Sequence, residues 1–394
     1  MTTNTTSRRT VLKGAALAAA SGFIPTRFAI GASAPIKLGL MLPFSGTYAG
    51  LGNNIADALK LRIAEAGGSI GGRAVEFVML DDESAPPKAK DNAMKLIAKD
   101  KVDFLIGTVH SGVAEAMAQV ARDEDTLVIC PNAGSSKLTG AMCSPNIFRT
   151  SFTLWQCAYP CGSVMLKDGH RRAVVMTWNY PGGLESAAGF KEAFTAGGGT
   201  VVKELLPDFP NVEFQAYLTE IAALKPDAVF TFFAGGGALK FMKDYAAAGL
   251  KNIPLYGSGF LTDGVYKKAG DAAAGIKTTL HYADELDNPV NKAFRAAFQQ
   301  ATSREADVYA VQGYDTGTLL IKGLEAVKGD TKARKALVAA METARIDSPR
   351  GAFTLSKAHN PVQDIYLREV KGGSEAVLGV AHAALADPAT GCKM

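Results

Sequence analysis

The chain has 394 residues, 47% apolar and 20% charged, a length that implies two domains and a composition that excludes a disordered chain, a collagen-like fibre and a small disulfide scaffold. A mean hydropathy of +0.07 excludes a multi-span membrane protein. The formal charge of +4 does not mark a nucleic-acid binder: Arg8, Arg9, Lys13 and Arg27 stand in residues 1–34 with no acid, the remainder is balanced, and no basic stripe with interleaved aromatics is left.

Ser7–Lys13 (SRRTVLK) resembles the twin-arginine export motif, with Val11 where Phe is more usual. An Ala-rich apolar run follows from Gly14 to Ile24, too short to span a bilayer, and Ala32-Ser33-Ala34 offers a small-residue cleavage pattern. This order predicts a twin-arginine signal peptide over 1–34 and a mature protein outside the bacterial cytoplasm, folded before export. The alternative is a fortuitous arginine pair before a surface helix.

From residue 36 short apolar strands alternate with amphipathic helices. Strands are expected at 36–42, 75–80, 102–107 and 127–130, and helices at 54–66, 87–99 and 111–122. Gly67-Gly68, Asp81-Asp82 and Pro43 punctuate them. Such repetition signals a parallel sheet covered on both faces. The pattern restarts with a helix over 154–168, then strands at 173–177, 200–202, 228–232 and 254–257 and helices at 183–196, 213–224 and 237–248. Helices over 289–301, 308–327 and 331–343 and strands at 351–355 and 363–369 end the pattern. A chain that visits two lobes and then returns crosses between them several times, and such crossings form a hinge about a cleft.

Five cysteines lie beyond residue 34: Cys130, Cys143, Cys157, Cys161 and Cys392. An odd number leaves at least one free thiol. A pair among Cys143, Cys157 and Cys161 is one expectation; buried apolar cysteines are the other. No Cys-x-x-Cys occurs and the histidines are scattered, so no metal site is expected. Gly257-Ser258-Gly259 lacks the third glycine of a dinucleotide fingerprint, and there is no Walker loop, His-Glu-x-x-His or Gly-x-Ser-x-Gly. No cofactor and no catalysis are expected.

Several segments, in order, resemble the type I periplasmic solute-binding proteins of the branched-chain amino acid ABC transporter family: IKLGLMLPFSG (36–46), GGSIGG (67–72), Asp81-Asp82, LIGTVHS (105–111), PNAGSSKLT (131–139), Phe148-Arg149-Thr150, KPDA (225–228) and AAGL (247–250). Trp178-Asn179-Tyr180, FFAGGG (232–237) and Arg350–Val370 resemble the subgroup that binds aromatic carboxylates from lignin breakdown. The resemblance covers about 36–370. It implies a two-lobed α/β fold, each lobe a parallel-type sheet flanked by helices, joined by a three-crossing hinge. The implied lobes are 35–152 with 284–350, and 153–283 with 351–394. Crossings are expected near Thr150–Thr153, Tyr282–Asp284 and Gly351. The implied role is the periplasmic binding component of an ABC importer, a monomer that closes on a small aromatic carboxylate and is read by an inner-membrane permease.

In such folds ligands bind beyond the carboxyl ends of the strands. Three loops of the first half belong there: 44–52, 108–112 and 132–136. Ser111 is placed as the N-cap of its helix, where a hydroxyl and free helix amides make an anion site. His110 is a donor to the ligand or a packing residue. Ala133 and Gly134 offer main chain that a ligand can approach. Tyr48 closes the site from the first lobe or stands exposed on its loop. From the second half, Trp178, Tyr180, Phe233 and Phe260 enclose a ring or belong to the lobe core. The amino acid binders of the family pair an acid with the ligand ammonium at the position of Gly259. A buried ammonium without that partner is costly, so the expected ligand has a carboxylate and no α-ammonium, unless Asp263 supplies the acid. The competing readings are a branched-chain amino acid or amide binder of the same fold, a sensory module, and an exported α/β enzyme.

Overall fold

The computed structural model describes residues 34–394. The expected signal peptide therefore lies, but for Ala34, outside the described residues. Strand β1 (Ile36–Leu42) is apolar at almost every position because it is buried on both faces, between β3 (Arg73–Asp81) and β4 (Phe104–Gly107). With β2 (Ser69–Ile70), β5 (Leu127–Cys130) and β6 (Ile147–Arg149) they form a six-stranded sheet in the order β2-β3-β1-β4-β5-β6. Only the β2–β3 pair is antiparallel. Alternate residues point to opposite faces. Leu38, Leu40 and Ile106 pack into one apolar layer with α1 (Ala49–Glu65) and the later α10 (Val308–Ala326). Met41, Leu105 and Val128 meet α2 (Pro86–Met94) and α3 (Ser111–Asp123) on the other face.

The second sheet is built from β7 (Arg172–Thr177), β8 (Thr200–Leu205), β9 (Ala228–Phe232), β10 (Leu255–Ser258) and β11 (Lys277–Leu280), all parallel. Its helices are α4 (Leu154–Lys167), α5 (Pro181–Ala196), α6 (Gln215–Leu224), α7 (Gly235–Ala247) and the single turn α8 (Tyr266–Ala269). After α9 (Pro289–Thr302), α10 and α11 (Arg334–Glu342), the chain returns as β12 (Thr354–Leu355), β13 (Pro361–Lys371) and β14 (Ser374–Leu385). These pair antiparallel at the β11 edge, so the eight-stranded sheet is mixed.

The crossings between sheets are braced against one another by buried polar groups. Arg350 donates to the carbonyls of Ser151 (3.0 Å) and Thr150, and pairs with Asp315 at 3.2 Å. The Thr150 and Thr316 hydroxyls bond at 2.7 Å. The cysteine expectation is corrected in part. Cys143 pairs with Cys392, 249 residues away, whereas Cys130, Cys157 and Cys161 are free and buried. Nothing in the spacing of the three clustered cysteines pointed to the C-terminal residue. Among the described residues no helix is long and apolar enough to cross a membrane.

Candidate functional site

The carboxyl ends of both sheets face a narrow internal cavity. It encloses about 280 Å³ of non-atom space, counting the part open to solvent. Its walls are close: only about 20 Å³ admits the centre of a water molecule. No lysine, arginine, aspartate, glutamate or histidine lines it.

The first sheet supplies three loops. The Asp81 carboxylate accepts from the Phe44 amide at 2.9 Å and fixes the turn that delivers Tyr48, which is 1% exposed. The second loop opens α3, and here the expected cap is corrected. His110, not Ser111, is the N-cap: its Nδ1 accepts from the amides of Gly112 (3.1 Å) and Val113 (3.4 Å). Two helix amides expected to be free are thus taken by the protein's own imidazole. Burial pushes the His110 pKa down to about 4, so the ring is neutral with its proton on Nε2. Its ring packs 4.6 Å from Tyr180 and 4.9 Å from Phe209 and does not line the cavity. Ser111 is thereby released. As the first helical residue its amide has no intrahelical acceptor, and its buried Oγ has no partner among the described residues and lies in the cavity wall.

The third loop is held from behind by Arg149, fully buried, which donates to the carbonyls of Ala133, Ser135 and Phe152. The Gly134 carbonyl accepts from Leu154 at 2.9 Å. With these carbonyls turned away, Gly134 reaches the cavity but Ala133 does not; its amide is spent on Thr108 at 2.9 Å.

Tyr180, beyond β7, reaches across to the first lobe, where its hydroxyl meets that of Tyr48 at 3.2 Å. Burial raises both phenol pKa values, so both stay protonated. Phe260 lines the cavity and packs 4.6 Å from Phe152. Trp178 and Phe233 are lobe core instead: Trp178 donates to the Asn211 carbonyl at 2.8 Å, and Phe233 packs on Trp178, Phe214 and Phe241. Phe232, one residue earlier, lines the cavity in its place.

Gly259 is also corrected. A Cβ there would stand 2.3 Å from Arg368 Nη2 and 2.4 Å from Leu280 Cβ, so no side chain fits, and its carbonyl receives Arg368 at 2.9 Å. Asp263 does not take over the acid's role. It is 2% exposed, Oδ2 pairs with Arg368 at 2.9 Å and Oδ1 accepts from the Val308 amide at 2.9 Å. Sequence reasoning missed Asn132, Phe152, Leu154, Phe232 and Tyr309 as wall residues. Asn132 stood in a loop already singled out; Tyr309 lies inside a helix with no motif.

With this geometry in place, comparison with known proteins is decisive for the class. The periplasmic binding protein family model matches residues 35–375. The chain belongs to this family. It is 32% identical over 355 residues to Leu/Ile/Val-binding protein homolog 6 of Brucella melitensis, covering 87% of this chain and 90% of the relative. It is 56% identical to a solute-binding protein of an ABC transporter from R. palustris solved in complex with benzoate, with a TM-score of 0.90 and coverage of 91% and 100%. A solute-binding protein from Rhodopseudomonas palustris in complex with 3,4-dihydroxybenzoic acid is 34% identical, with a TM-score of 0.85 and coverage of 90% and 99%.

Proposed function

We propose that this chain is the periplasmic binding component of an ABC importer and takes a small aromatic carboxylate into the cleft between its lobes. The observation that carries the reading is the wall chemistry: uncharged donors, including the orphan Ser111 hydroxyl, face an aromatic enclosure, while no acidic side chain lines the cavity and Asp263 is locked to Arg368. A carboxylate is stabilised by oriented neutral donors at a helix start. An ammonium enclosed there would lack its counter-charge. The benzoate and dihydroxybenzoate found in similar solute-binding proteins support the same class of ligand.

In this reading the lobes are 35–152 with 284–350, and 153–283 with 351–394, and the protein acts as a monomer without catalysis. Ser111 and Gly134 receive the carboxylate. Tyr48, Tyr180 and Phe260 close on the ring. Closure is favoured because the closed form gains contacts that the open form lacks, and a permease then reads the closed shape. The Cys143–Cys392 bond suits an oxidising compartment.

A thermal-shift and calorimetric panel tests this. Benzoate at about 100 times its Kd adds about 2.7 kcal/mol to folding stability and raises Tm; leucine at the same concentration leaves it unmoved. The reverse result refutes the aromatic reading and supports an amino acid binder.

A further inference from the structure

We infer that Glu185 is the latch of the closed form: a carboxylate on the second lobe that accepts from both donors of Ser136 on the first, and so sets how long a ligand stays enclosed. The inference rests on the hinge closure read above and adds the positioning residue that holds the cleft shut.

Each half of the contact is fixed within its own lobe. Ser136 ends the loop that brings Gly134 to the cavity. Before it, the Ser135 carbonyl receives Arg149 and the Ser135 hydroxyl donates to Glu115 of α3 at 2.8 Å. After it, Lys137 pairs with the same Glu115 at 3.0 Å. Glu185 stands on α5, five residues past Tyr180, and accepts from the Trp155 amide of α4 at 3.4 Å, a contact inside the second lobe. Across the gap the Ser136 amide donates to Glu185 Oε2 at 2.8 Å and the Ser136 hydroxyl donates to Oε1. Both carboxylate oxygens are thus used by one residue of the facing lobe. Burial pushes the Glu185 pKa up to about 6, and the Ser136 bonds, nearby Arg149 and the Trp155 amide oppose this. At neutral pH the group is a carboxylate, which only accepts, so the direction of both bonds is fixed.

Hydrogen bonds to a charged group are stronger than neutral ones. These two exist only where the lobes meet. They stabilise the closed form and add nothing to an open one, which is what shifting that equilibrium requires. The same helix carries a second contact across the cleft, the Tyr180 hydroxyl on that of Tyr48 at 3.2 Å. The two differ in one respect: Tyr48 and Tyr180 line the cavity and Glu185 does not. The latch therefore acts on closure whatever the ligand is, and its removal costs every ligand the same factor.

A double-mutant cycle over Glu185→Gln and Ser136→Ala, read by calorimetry and stopped-flow kinetics with benzoate and 3,4-dihydroxybenzoate, tests this. Each single variant is expected to raise Kd about tenfold for both acids, through faster dissociation with association little changed. The double variant is expected to be no more than about threefold worse than either single one, because both remove one contact. Without ligand the four proteins are expected to melt together. Unchanged affinity, losses that multiply in the double variant, or a loss carried by association alone overturns the latch and leaves the aromatic-acid reading standing. Equal coupling in the ligand-free melts also overturns it, since the pair would then be a permanent brace. If the wild type binds leucine and neither acid, the aromatic reading fails and the same cycle with leucine decides the latch; binding of none of the three sinks both. Where Ser136→Ala shows no cooperative melt, the dissociation rates of Glu185→Gln decide.

Discussion

Asp82 is fully buried just beyond β3, where its carboxyl accepts from the Thr108 hydroxyl and, at 2.8 Å, from the Ser84 amide. It thereby anchors the loop that carries His110 and Ser111. Burial pushes its pKa up to about 6; the bonds from Thr108 and Ser84 oppose this, and Asp81 and Glu83 add to it. A carboxyl whose pKa is raised by folding contributes most at low pH. Its contribution is fully present below about pH 4 and is lost as pH rises through about 6. Wild-type stability is therefore expected to fall by about 1–3 kcal/mol between pH 4 and 8 relative to Asp82→Asn, which cannot titrate. Denaturant melts of both proteins across that range check this, and parallel pH profiles refute it. The same scale shows where sequence reasoning stopped. Ser111 was legible at a helix start. That His110 would cap the helix and free the Ser111 hydroxyl was not, because either residue type can accept from helix amides and only the backbone decides which one does.

Among the elements, α7 brings the lobes into close approach. Gly235, its first residue, has φ +57°, and a Cβ there would stand 2.6 Å from the Thr47 carbonyl of the opposite lobe. At Gly236 the nearest atom is Thr47 Oγ1 at 3.5 Å, an ordinary contact. Gly235→Ala is thus expected to hold the lobes apart and weaken ligand binding by about tenfold or more, with a strain cost of about 1 kcal/mol in the free protein. Gly236→Ala is expected to change affinity less than about threefold, since it adds a methyl without a clash. Calorimetry on the two variants separates the cases; equal losses would show that closure does not depend on this approach. The strands that build the sheets were legible where they are apolar and doubly buried, as in β1, β4, β5, β7 and β9. Four strands were not. β2 has two residues and β6 three; β11 reads Lys-Thr-Thr-Leu; and β14 is rich in Ala and largely exposed, pairing only with β13. None carries the apolar run or clean alternation that marks a strand.

At the scale of the whole molecule the C-terminal residues do something that a split into two lobes does not convey. The chain leaves the second sheet at Leu385 and returns to the first. Asp387 accepts from the Thr153 hydroxyl at 2.7 Å, beside the first crossing. The Thr390 carbonyl packs against Gly140, and Cys392 is bonded to Cys143. This strap is a further link between the lobes and the one covalent link other than the main chain among the described residues. It closes a loop of 249 residues, so its constraint on the unfolded chain is large, and a native disulfide of this kind is worth about 2–4 kcal/mol. The double variant Cys143→Ser/Cys392→Ser is expected to lose about that much and to melt several degrees lower. Reductant is expected to lower the wild-type Tm to the same value and to leave the variant unmoved. Cys130, Cys157 and Cys161 are buried thiols in both proteins and do not confuse the comparison. A double variant that melts with the wild type would mean that the strap is held by its contacts at Thr153 and Gly140 alone, and that the covalent bond adds nothing to the union of the lobes.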